Sequence, residues 1–106
     1  MSISPPELKT GEGENKIIVN PDFTERAANA LYIKGIVNEV YGTTDSATSA
    51  YEQSIALAEE YEHFLELGNS AYSLANMYNI RGQNVKALEW AHKAKNAYES
   101  GSHQKK

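Results

Sequence analysis

The sequence contains no cysteine, which excludes disulfide staples, thiolate nucleophiles and cysteine-bound metal, and leaves the redox compartment open. No apolar run approaches the roughly 20 residues that a membrane-spanning helix needs. The opening Met1-Ser2-Ile3-Ser4-Pro5-Pro6-Glu7 lacks the basic start and apolar stretch of a signal peptide. A cytoplasmic protein with no membrane partner is therefore expected. Basic residues are missing from a long central stretch: Gly35 to Ile80 holds seven acids and no lysine or arginine. Those from Arg81 onward are spread along a short end. A nucleic-acid binder needs a concentrated basic face to meet phosphates, so no nucleic-acid partner is expected. Phenylalanine (2) and tryptophan (1) are scarce, but there are 7 tyrosines. A ring with a polar tip suits half-buried walls and contact surfaces.

The 106 residues, 41% of them hydrophobic and 23% charged, have room for one ordinary globular domain. Residues 1–20, with Pro5, Pro6, Gly11 and Gly13, read as a flexible arm, broken only by the apolar cluster Ile17-Ile18-Val19. Asn20-Pro21-Asp22 is a helix start: asparagine can cap, proline fits the first turn, and an acid meets the positive helix end. Helical spacing follows. Phe23, Ala27, Ala30, Leu31, Val37 and Tyr41 lead to a stop at Gly42-Thr43-Thr44. A second helix is expected over about Asp45–Tyr61, a third over His63–Arg81 ending at Gly82-Gln83-Asn84, and a fourth over Val85–Ser100. Residues 101–106 read as a disordered tail. No segment alternates at period two, so the fold class is all-α with four helices.

Shifting the chain by 40 residues places Asn29 on Asn69, Tyr32 on Tyr72, Gly42 on Gly82 and Ala47 on Ala87. Gly35 falls on Ala75, Val40 on Ile80 and Ser54 on Ala94. Each match has a physical use. Small residues let antiparallel helices approach, and the two glycines end a helix in a tight turn. A closed up-and-down bundle would also satisfy four helices with short loops. Repeated asparagine and tyrosine would be odd inside a closed core, which favours two stacked helix pairs over residues 21–100.

Ala71, Leu74, Ala75, Tyr78, Gly82, Ala87 and Ala94 carry a spacing that resembles the tetratricopeptide repeat. Leu31, Gly35, Gly42, Ala47, Tyr51 and Ser54 repeat it in the first half, with Lys34 and Asn38 where apolar and aromatic residues are usual, and no closing proline in either half. The period is longer than the usual one of about 34 and resembles the longer variant of kinesin light chains and bacterial regulators. This resemblance implies a short α-solenoid of two helix-turn-helix repeats. Its first helices would line a concave groove that holds a peptide or helix of another protein, as in an adaptor or scaffold. Carried over by position, the groove comprises Asn29, Tyr32, Ile36, Glu39, Val40, Asn69, Tyr72, Asn76, Asn79 and Ile80. Asparagine is a poor helix former that can both donate to and accept from a peptide backbone. The lysines and arginines with which related domains clamp chaperone C-termini are absent, and Glu39 has the wrong sign.

His63, His92 and His103 have no partners at triad or metal-ligand spacing, Glu59-Glu60 reads as a solvated face, and no glycine loop cradles phosphate. No catalysis, metal or cofactor is expected. A repeat stack commonly ends in a polar capping helix, whereas Leu88, Trp90, Ala91, Ala94 and Tyr98 form an apolar stripe on the last helix. The expected cover is another copy of the chain, the Ile17-Ile18-Val19 arm or a partner protein. Homo-oligomerisation through this stripe is the second functional expectation.

Overall fold

The computed structural model describes residues 20–104, and the arm residues Ile17, Ile18 and Val19 lie outside them. Four helices run in order: α1 (Pro21–Val40), α2 (Thr44–Glu60), α3 (Phe64–Ile80) and α4 (Asn84–Gln104). No strand occurs among the described residues. None of the helices is long and apolar enough to cross a membrane. At the start of α1, the Asp22 amide donates to Asn20 Oδ1 at 2.7 Å, as the cap signal required. One expectation fails at the other end: the chain stays helical through Gln104 rather than ending at Ser100. Residues 85–104 contain no proline, and Gly101 weakens a helix without breaking it.

All three turns share one geometry. Gly42 (φ 81°), Glu62 (φ 57°) and Gly82 (φ 80°) take the left-handed conformation. The next residues then turn their amides back to carbonyls five positions earlier: Thr43 to Asn38, His63 to Ala58 and Gln83 to Tyr78, each at 2.9 Å. Glycine takes this backbone without steric cost. Glu62 does so at a cost of about 1 kcal/mol.

The helices pack in succession: α1 on α2, α2 on α3, α3 on α4, with a smaller α1–α3 contact. The first and last helices do not pack against one another, as a closed bundle would require. Small residues set the spacing. Ala28, Ala47, Ala58 and Ala71 are fully buried, and the largest side chains in that state are Tyr51, Leu74, Ser54 and Ser70. Ser70 Oγ donates to Ser54 Oγ at 2.8 Å, and Ser54 Oγ donates to the Ala28 carbonyl at 2.8 Å. This chain links α3, α2 and α1 and leaves neither hydroxyl unsatisfied.

In each helix pair a tyrosine ring lies over a glycine. A Cβ at Gly35 would sit 2.5 Å from the Tyr51 ring, and one at Gly68 would sit 2.6 Å from the Tyr98 ring. The two notches are not equivalent under the 40-residue shift. Gly35–Tyr51 lies close to its turn, whereas Gly68–Tyr98 lies towards the open end of its helix pair.

Candidate functional site

Two rows of residues with identical spacing run along the adjacent helices α1 and α3: Glu25, Asn29, Tyr32, Ile36, Glu39 and Leu65, Asn69, Tyr72, Asn76, Asn79. Successive steps of four and three residues keep each row on one helix face. Asn29, Asn76 and Asn79 are exposed, and so are the apolar Tyr72 (63%) and Ile36 (37%). Val40 and Ile80 extend the rows and are exposed too. Large apolar side chains left in water on neighbouring helices form the kind of patch that contacts a partner.

Three of the expected groove residues also serve the fold. Tyr51 Oη donates to Glu39 Oε1 at 2.7 Å, and Tyr98 Oη donates to Asn69 Oδ1 at 2.6 Å. Tyr32 is half-buried, with its ring centroid 6.1 Å from that of Tyr51. Burial pushes the Tyr98 phenol above its ordinary value, and the neighbouring Tyr32 and Tyr72 add to the shift.

The stripe expected on α4 divides in two. Leu88 and Ala91 are exposed and Tyr98 is 40% exposed, but Ala94 is buried and Trp90 packs against the core. Ala94 is therefore covered within the chain, and Trp90 offers only part of its ring to an oligomer face. Tyr98 spends its ring on Gly68 and its hydroxyl on Asn69.

Cavities lie at both ends of the two rows. One of about 180 Å³ is lined by Glu39, Met77, Ile80 and Arg81. At the opposite end, a cavity of about 300 Å³ is lined by Glu25, Glu62, His63, Leu65, Glu66 and Gly101. A smaller one of about 200 Å³ adjoins it and shares Leu65 and Gly101. His63 Nε2 lies 2.7 Å from Thr24 Oγ1, whose own hydrogen is given to the Pro21 carbonyl at 3.0 Å. A hydroxyl has one hydrogen, so His63 is the donor of that pair. It ties the start of α3 to the start of α1 and fixes the cavity wall.

Glu39 and Ile80 were expected in the groove, and of the residues around the cavity at the opposite end only His63 was considered from the sequence, as an isolated histidine. Two signals pointed to others of them. The 40-residue shift pairs Glu25 with Leu65, one turn before the matched asparagines, and Glu66 interrupts the apolar run Phe64-Leu65-Glu66-Leu67.

Glu66 is 7% exposed. Burial is the main force holding its carboxyl above the ordinary 4.5; Glu25 adds to this, while its own backbone N–H and His63 oppose it. The ionised form is therefore disfavoured in the fold, and the wild type gains stability as pH falls through the raised value. Glu66→Gln is expected to melt at a higher temperature than the wild type at pH 7. The advantage should shrink as pH falls towards 4.5, which thermal scans across that range would test.

Comparison with known protein-family models, curated proteins and solved structures finds no match for this chain.

Proposed function

We propose that the chain is a non-catalytic protein-binding module of tetratricopeptide-like design, an adaptor whose α1–α3 face holds an extended peptide or a helix of another protein. One observation carries this reading. Two equally spaced rows on neighbouring helices expose apolar and amide side chains together, and the fold has no use for most of them. Tyr72 offers flat apolar contact with little rotamer entropy to lose. Asn29, Asn76 and Asn79 have donors and acceptors free for a peptide backbone. Asparagine weakens a helix, so its repeated use on an exposed face implies a return elsewhere. Self-association through α4 has less surface behind it, since Ala94 is buried and Trp90 partly so.

Selection of displayed peptides against the wild-type chain, followed by titration of the enriched sequences, tests the groove. Tyr72→Ala combined with Asn76→Ala should weaken their binding by about tenfold or more, the effect of losing roughly 1.4 kcal/mol. Both positions are exposed, so the helical circular dichroism should not change. Full affinity in the double variant would reject the groove.

A further inference from the structure

We infer that the cavity between the starts of α1 and α3 is a receptor for a guanidinium group, the arginine side chain of a bound peptide. The inference rests on the groove reading for the partner being a peptide. The recognition chemistry stands on the cavity itself. Glu25, Glu62 and Glu66 line it, and no lysine or arginine does so among the described residues. Glu66 is more than nine-tenths buried, lines this space, and makes no side-chain hydrogen bond or ion pair with another described residue; its carboxyl is met by its own backbone N–H and by the nearby His63, which do not outweigh the cost of burial. A carboxylate so held gains from a cation or from further donors.

Three further considerations support the assignment, and the second and third favour a guanidinium over an ammonium. Phe64 and Leu65 supply apolar wall beside the acids, suited to the methylene stem of a long side chain. Carboxylates from separate elements match a planar fork of donors rather than a single point charge. Arginine also stays charged when buried, whereas lysine readily loses its proton. Glu25 and Leu65 are the first members of the two exposed rows, so the cavity opens at the end of the groove. A peptide lying along Asn69, Tyr72 and Asn76 would deliver an arginine there. The acidic stretch from Gly35 to Ile80 favours a basic partner in general, and this cavity gives that preference a place.

Glu62 belongs to the same site and also sits in the left-handed backbone that glycine occupies in the other two turns. Glu62 and Glu66 each weaken the fold and each adds negative charge to the cavity. A stability cost concentrated around one cleft is typical of binding sites.

The test is amide NMR titration of the whole chain with N-acetyl-arginine amide, and with N-acetyl-citrulline amide as a neutral control of nearly the same shape. The arginine probe should give saturable shifts at Glu25, Glu62, Leu65 and Gly101 that weaken with added salt. The citrulline probe should give none. In Glu66→Gln, a variant expected to fold at least as well as the wild type, arginine affinity should drop by about tenfold or more, roughly 1.4 kcal/mol. Equal response to both probes, an unchanged affinity in Glu66→Gln, or no saturable shift would each overturn the inference. Tyr72→Ala with Asn76→Ala should leave the arginine response intact while peptide capture is lost. Failure of the cavity and failure of the groove are thereby told apart.

Discussion

Tyr51→Ala is expected to destabilise the domain by about 3–5 kcal/mol, as does removal of other buried aromatic rings. Small domains hold together by only about 5–15 kcal/mol, so the variant should be partly unfolded at modest temperature. The Tyr51 ring is fully buried, lies over Gly35 and gives its hydroxyl to Glu39. The informative result is the cycle with Gly35→Ala. In the wild type a Cβ at that position meets two ring carbons at 2.5 Å, and such overpacking costs about 1–3 kcal/mol. The gain in helix propensity, about 1 kcal/mol, cannot offset most of that range. With Tyr51 already replaced by alanine, the clash is gone and only the propensity gain remains, so Gly35→Ala should change sign and become stabilising. Urea titrations of the four proteins would measure the coupling. If Gly35→Ala costs the same in both backgrounds, the ring is not what requires the glycine. Gly68→Ala should cost less than Gly35→Ala, because Tyr98 is 40% exposed and can swing outwards.

A second large effect is expected at the two ends of the row of helices. Under the 40-residue shift, Lys34 takes the place of Leu74, which is fully buried, and Lys95 takes the place of Ile55, which is 4% exposed. Around Lys34, α1 and its C-cap expose Phe23, Ile33, Val37 and Tyr41. Around Lys95, α4 exposes Leu88, Ala91 and part of Tyr98. Each end therefore resembles an internal packing face with an ammonium at its centre, and pressing two such ends together would bury both charges. Changing Lys34 to Leu together with Lys95 to Ile removes that barrier. The double variant should associate head to tail into open-ended chains, since a heterologous contact of this kind does not close. Sedimentation velocity would show large, concentration-dependent species at protein levels where the wild type sediments as a small one. Indistinguishable sedimentation of the two proteins would mean that the lysines do not guard the ends.

Much of the helical framework was legible because its signals are local. Asn20-Pro21-Asp22 and the glycines at 42 and 82 fixed helix boundaries to within a residue or so. The turn at Glu62 lacked its usual glycine and was found only as a gap between two periodic stretches. The misreading of α4 has a simple cause. Ala87, Trp90, Ala94 and Ala97 form one apolar row, and Leu88, Ala91, Lys95 and Tyr98 form the next, displaced by a single residue. Periodicity shows that both rows exist, but which one faces α3 is decided by the neighbour's shape. The inner row is the one that packs: Ala94 and Ala97 are buried, and Ala87 and Trp90 lie against the core. Tyr98 reaches inwards only because Gly68, thirty positions away in sequence, leaves room for a ring.

The groove rows were readable because exposed asparagines and tyrosines recur at matched positions. The cavity at their end was not, since it is assembled from α1, the α2–α3 turn, α3 and the late part of α4. A carboxylate such as Glu66 at the first turn of a helix looks unremarkable in a sequence, where acids favour that position in any case. Its burial depends on how two helix starts and Gly101 converge.

That α1 never packs against α4 bears on how the chain reaches and leaves its native state. Nearly every stabilising contact joins helices that are successive along the polypeptide, so little loop closure has to precede the rewarding contacts, and folding should be fast. The same lack of a seam between first and last helix lets either outer helix peel away without opening the other. Amide protons in α2 and α3, covered on both sides, should exchange with solvent most slowly, with protection falling towards both ends.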